Sequence, residues 1–179
     1  MSTPDSTTAL PERTQGGRLF SFPNPVTEVA ARSVAAGVVL MSLATIAFDQ
    51  PWLTVVIAYG FLARVCTGPT LSPLGQIATR VVVPRLNVDP RPVAGPPKRF
   101  AQGIGLAFSL TAAILAVVFG DTGSAYVVLG LLIAAATLEA AFGLCVGCRA
   151  FALLIRVGLI PAEVCERCND ITLDRSGAA

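Results

Sequence analysis

Two cysteine pairs stand close together near the end of this 179-residue chain: Cys145-Val-Gly-Cys148 and Cys165-Glu-Arg-Cys168, joined by RAFALLIRVGLIPAEV. They hold four of the five cysteines. Thiols at CxxC spacing can ligate zinc, exchange disulfides or carry sulfane sulfur. As zinc ligands, Cys145, Cys148, Cys165 and Cys168 would close one tetrahedral site, with a helix running out from Cys148, stopping at Gly158 and returning from Pro161. As thiol chemistry, Cys145 and Cys148 would be the reactive pair, and Cys165 and Cys168 would resolve or receive. Arg149 beside Cys148 would favour thiolate. If the preceding apolar helix runs up to Cys145, however, the pair meets the negative end of a helix dipole, which opposes thiolate. The second pair follows Pro161 at a helix start, with Glu163 and Glu166 working against it. Cys66, alone, reads as a small, buried, unreactive residue, or else as a fifth thiol of the cluster.

Histidine is absent, which removes Ser–His nucleophiles, imidazole acid–base catalysis and mixed Cys/His metal sites. The net charge of +2 and the lack of a basic patch interleaved with aromatics exclude nucleic acid as a partner.

What must position the cysteines is a membrane domain. Hydrophobic residues make up 54%, charged residues 13%, and the mean hydropathy is +0.70. Such a chain cannot cover itself with polar surface, so the lipid bilayer is its solvent. The expected fold is all-α, with four transmembrane helices arranged as two hairpins and a Cys-rich C-terminal segment at 145–168. Spans are expected at 29–48, 52–66, 102–119 and 126–144, the second of them short, with an interfacial helix at 72–84 between the hairpins. Residues 1–19 and 173–179 read as disordered tails around a domain at 20–172. Asn24 and Pro25 form an expected cap for the first helix, and Ser72 and Pro73 one for the interfacial helix, whose apolar face would be Leu74, Ile77, Val81 and Val82.

The charges orient this domain. All 13 Lys and Arg residues fall outside the 49–51 and 120–124 turns, which instead carry Asp49 and Asp121. The positive-inside rule then puts both termini and every cysteine at the cytoplasmic face of a plasma (inner) membrane. Cytosolic thiols are kept reduced, which disfavours a structural disulfide.

Other residues invite a role. Glu139 lies inside the fourth span, about 9 Å along the helix from Cys145; the expected explanation is pairing with Arg64 or Arg32 on neighbouring helices. Lys98 and Arg99, at the start of the third span, could hold a phosphate or sulfur oxyanion, or more simply lipid headgroups. Gly103, Gly105 and Gly130 read as close-packing positions between helices.

The segments FPNPVTEVAAR, YGFLARVCTGPTLSPLG, GPPKRFAQGIG and GLCVGCRAFALL together resemble the uncharacterised membrane family catalogued as domain of unknown function 4395, over roughly residues 20 to 172. The Gly143-x-Cys145-x-Gly147-Cys148 element is its most widespread mark. Long bacterial members of actinobacterial type share VCERCND as well, whereas shorter members lack the second pair, which counts against a universal four-cysteine zinc site. The resemblance brings no activity, so enzyme status stays open. It implies work near thioredoxin-like proteins and sulfurtransferases. The expected function is a membrane-bound thiol-redox or sulfur-handling accessory that exchanges electrons or sulfane sulfur with such a soluble partner. The alternatives are a non-enzymatic scaffold shaped by a structural zinc, the one cofactor the spacing suggests, and a small transporter for a sulfur compound.

Overall fold

The computed structural model describes residues 26–86, 92–93 and 95–161. The expected cap at Asn24 and Pro25, both tails, and Cys165 and Cys168 lie outside the described residues. The first described element is β1 (Val26–Thr27), which pairs antiparallel with β2 (Pro92–Val93), two residues on each side. Everything else with regular structure is helical.

Three helices have the length and composition to cross a membrane: α1 (Glu28–Ala47), the helix α5 (Gly95–Ala113) with its π-helical extension to Val118, and α6 (Thr122–Phe142). At 1.5 Å per residue each is about 30 Å or longer, the thickness of the hydrocarbon layer. The fourth apolar helix, α2 (Leu53–Thr67), has 15 residues and reaches only about 22 Å. The third expected span is corrected at its start. It begins at Gly95 and not near 102: Pro96 and Pro97 lie in its first turn, where no N–H is needed, so Lys98 and Arg99 are helical.

The four helices form a bundle in which α1 lies along α6, α2 along α5, and α5 against α6. The pairing across the two hairpins is thus more extensive than that within the first. Its core is Val38, Ile57, Phe61, Leu129, Leu132 and Ala136, with small residues such as Ser42, Ser109, Ala112 and Ala125 fully enclosed. Large apolar side chains face outward instead: Leu40 is 69% exposed, Val127 68% and Leu131 57%. Small residues inside and large apolar residues outside is the pattern expected when lipid is the solvent. Of the three glycines expected at helix contacts, only Gly105 is one. A Cβ there would run into the Phe61 ring, whereas Gly103 and Gly130 face open space. At the end away from the cysteines, the Tyr126 hydroxyl donates to the Asp49 carboxylate at 2.5 Å and so ties the two turns together.

Between the hairpins, α3 (Pro73–Ile77) starts as expected: the Ser72 hydroxyl accepts the Gly75 N–H at 3.3 Å, and Pro73 takes the first helical position. A π-helical turn (Ala78–Val82) leads into α4 (Val83–Leu86), just before Pro84, which has no N–H to donate one turn back. Gly75 and Ala78 press on the bundle, Ala78 against Ala30 and Val34, and Leu74 packs against the core, while Ile77 and Val81 of the expected apolar face are exposed. Small residues let this helix approach closely, and its outer apolar side chains stay free to meet lipid.

The last described element, α7 (Val146–Arg156), packs on the start of α5. Phe151 meets Phe100 with ring centroids 5.4 Å apart, and a Cβ on Gly147 would lie 2.6 Å from the Ala101 Cα.

Candidate functional site

The geometry of the first cysteine pair begins with a break in the chain. α6 ends at Gly143, in the left-handed conformation at φ 68°. There the Gly143 N–H returns to the Glu139 carbonyl at 3.0 Å and the Leu144 N–H to the Leu138 carbonyl at 3.2 Å. A left-handed glycine whose N–H bonds the carbonyl four residues back is a helix C-terminus of the αL kind. Cys145 is then extended (φ −81°, ψ 104°) and is the N-cap of α7. Its Sγ accepts the Cys148 N–H at 3.3 Å.

This overturns the expectation that the pair sits at the end of a transmembrane helix. Cys145 and Cys148 belong to the first turn of a new helix, at the positive end of its dipole, where free N–H groups and the field both favour thiolate. The Cys145 thiol lies below the ordinary thiol range, first because the Cys148 thiol donates to its sulfur and also because of the nearby Lys98 ammonium; burial and Glu139 oppose the shift. The Cys148 thiol is pushed up, as the proton donor of the pair. Both are free thiols; Cys145 is 8% exposed and Cys148 is partly exposed. Of the two, Cys145 is the one that ionises first, and Cys148 is the one that keeps its proton longer.

Behind Cys145 lies a small buried charge cluster. Lys98 and Glu139 form an ion pair between α5 and α6. The expected partners of Glu139 are thus corrected: neither Arg64 nor Arg32 pairs with it. Arg64, 4% exposed, donates from Nε to Gln102 Oε1 at 2.8 Å and from Nη1 to Ser72 Oγ at 3.2 Å, and it stacks 4.5 Å over the Phe61 ring. Arg32 caps the end of α6, donating to the Ala140 and Ala141 carbonyls at 3.1 and 2.7 Å, while lying 3.7 Å from Glu28. Lys98 is buried at 8% exposure with its ammonium on Glu139, whereas Arg99 is exposed and donates to the Val65 carbonyl at 3.1 Å. Of this cluster, the Lys98 ammonium favours the Cys145 thiolate and the Glu139 carboxylate opposes it.

Cys145 and Glu139 also line a cavity of about 190 Å³ between α1, α5, α6 and α7. Gln102 is the third polar residue in that lining, which is otherwise apolar apart from glycine. Cys148 is not part of it. Cys66, expected to be buried, is exposed on α2. Among the described residues no three His, Cys, Asp or Glu side chains are grouped to hold a metal, so Cys66 does not join the pair; a four-cysteine zinc set would need Cys165 and Cys168, outside those residues.

Sequence reasoning missed Gln102 as a structural group and missed that Arg32 caps the end of α6. A lone glutamine in an apolar span was the available signal for the first. For Arg32 the signal was an arginine one turn into a helix whose neighbour must end nearby.

The family model described as Domain of unknown function (DUF4395) matches residues 26–156, and the chain belongs to that family. Comparison with curated proteins and with solved structures found no match.

Proposed function

We propose that this membrane protein is a dithiol relay: an accessory protein in which Cys145 and Cys148, at the cytoplasmic face, exchange electrons or sulfane sulfur with a soluble thioredoxin-like or sulfurtransferase partner. The observation that carries this reading is the N-cap position of Cys145, with the Cys148 N–H on its sulfur at 3.3 Å. A structural cysteine gains nothing from a lowered pKa; a nucleophile does. Cys165 and Cys168 act as the resolving or receiving pair. The basic end of the bundle holds the cysteines, and Asp49 and Asp121 mark the other end, which supports four spans with α2 crossing and both termini cytoplasmic.

Anaerobic trapping tests it. Purified protein in detergent, with Cys148 replaced by alanine, should form a mixed disulfide at Cys145 with a thiol–disulfide reagent faster than a Cys145→Ala variant does at Cys148. Equal rates, or no reaction at either sulfur in the reduced wild type, would remove the basis for thiol chemistry. One zinc per chain, lost when either pair is mutated, would point to the scaffold instead.

A further inference from the structure

We propose that the cavity beside Cys145 is a quinone site, in which the Cys145–Cys148 dithiol reduces a lipid-borne quinone headgroup to the hydroquinone. The inference rests on the dithiol reading and names its membrane-side substrate.

The cavity holds about 190 Å³ and is bounded by three helices long enough to span the bilayer, together with α7 and Phe61 of α2. Its walls are Val34, Ala35, Phe108, Leu131 and similar residues, with polarity only at the end where Gln102, Glu139 and Cys145 stand. An apolar cavity of about 150 Å³ admits benzene. This one therefore takes a single substituted ring, and not a peptide. Its substrate comes from the hydrocarbon layer, because the surrounding helices present apolar side chains to it.

The two sulfurs are reached from different directions. Cys145 lines the cavity and is 8% exposed, while Cys148 lies outside that lining and is partly exposed. A soluble protein therefore meets Cys148, and a small apolar molecule in the cavity meets Cys145. The oxidant that suits the second route must be small, lipid-soluble and able to take two electrons with two protons. Quinones have those properties. Hydrogen peroxide or a polysulfide, being polar, gains nothing from apolar walls.

The chemistry balances. The Cys145 thiolate adds to a ring carbon, forming a C–S bond. The Cys148 sulfur then attacks Cys145 Sγ; the S–S bond forms, the C–S bond breaks, and the electron pair stays on the ring. One proton comes from the Cys148 thiol and the other returns from solvent, replacing the one Cys145 released. Quinone plus dithiol gives hydroquinone plus disulfide, and a cytosolic dithiol restores the pair through Cys148.

The test uses the full chain, reduced, freed of reductant and held anaerobically in lipid nanodiscs. A benzoquinone bearing a decyl chain is added, and its absorbance and the disulfide are followed together. The expected result is one quinone consumed per Cys145–Cys148 disulfide formed. Cys145→Ser should abolish this reaction. Ala35→Leu, which fills the cavity, should slow it about tenfold or more, the size of effect a methyl-scale misfit has in an apolar pocket. Thermal unfolding of the leucine variant checks that it is folded, and Ala135→Leu gives a second filling position.

Quinone consumption at an undiminished rate in both folded leucine variants would overturn the cavity as the site. A wild-type pair that exchanges with a soluble disulfide reagent yet leaves the quinone untouched would overturn the quinone inference while keeping the dithiol reading. Failure of both reactions would remove both.

Discussion

The Lys98 ammonium and the Glu139 carboxylate form an ion pair between the first turn of α5 and the last turn of α6, with 9% and 17% of their side chains exposed. The pair joins α6, which leads into the cysteine turn, to α5, on which α7 packs, so it helps set where α7 begins. Breaking it from one side leaves a charge buried among apolar helices. Glu139→Gln or Lys98→Met should each destabilise the bundle by about 3–5 kcal/mol, whereas the double replacement by Met and Leu should recover most of that loss. Denaturation in mixed micelles measures the cycle, and additive losses would mean that the pair is not coupled.

A second expectation concerns pH. The Cys145 thiol is lowered because it accepts from Cys148 and lies near Lys98, and Cys148 is raised because it donates. A lowered thiol keeps its thiolate as pH falls below the ordinary range near ~8.5, and a raised one keeps its proton as pH climbs through it. Ultraviolet thiolate absorbance in a chain with Cys66, Cys165 and Cys168 replaced by serine should therefore rise in two separate steps, the first below the ordinary thiol range and the second above it. Cys148→Ala removes the donor thiol, and Lys98→Met removes the cation; each should move the Cys145 midpoint upward. A midpoint unmoved by both changes would contradict this electrostatic account.

The break at Gly143 can be tested directly. Its φ of 68° and a Cβ that would sit 3.2 Å from Glu28 Oε1 make two separate penalties. Gly143→Ala should cost about 1–2 kcal/mol from the left-handed backbone alone. Glu28→Ala in the same chain should return only the part due to the contact. The replacement should also raise the Cys145 midpoint, because a continued α6 would carry the pair back to a helix C-terminus. Loss of stability with an unchanged midpoint would separate the cap from the thiol chemistry.

How much of this was readable in the sequence follows from the range of each signal. The lengths of the apolar runs placed α1 to within one residue and α6 to within four at each end, because burial in lipid imposes a length as well as a composition. Ser72 and Pro73 were readable because a cap is a local contact. The end of α6 was local too: a glycine followed by Leu144 is a helix stop, but the apolar run through Leu144 concealed it. The partner of Glu139 was not local. Lys98 lies 41 residues away, and no short-range rule reports which face of α5 meets α6. Which residues of α3 touch the bundle was not legible for a related reason. Apolar periodicity finds the face that avoids water, but in a bilayer the large apolar side chains can turn to lipid while glycine and alanine make the protein contact.

The short helix α2 provides the test of topology. Its 15 residues begin just after Trp52, whose Nε1 donates to Gln50 Oε1 at 3.0 Å, an arrangement suited to a membrane interface. Cys66 is exposed near the other end. If α2 crosses, the two ends lie on opposite sides of the membrane. In a chain with Cys145, Cys148, Cys165 and Cys168 replaced, an impermeant maleimide added to intact cells should label Gln50→Cys and leave Cys66 untouched until the cells are opened. Labelling of both from outside, or of neither, would place both ends of α2 on one side and reduce the bundle to three spans. Labelling of Cys66 alone would invert the orientation and move the Cys145–Cys148 pair out of the reducing cytosol, where an accessible pair of this spacing would be held as a disulfide.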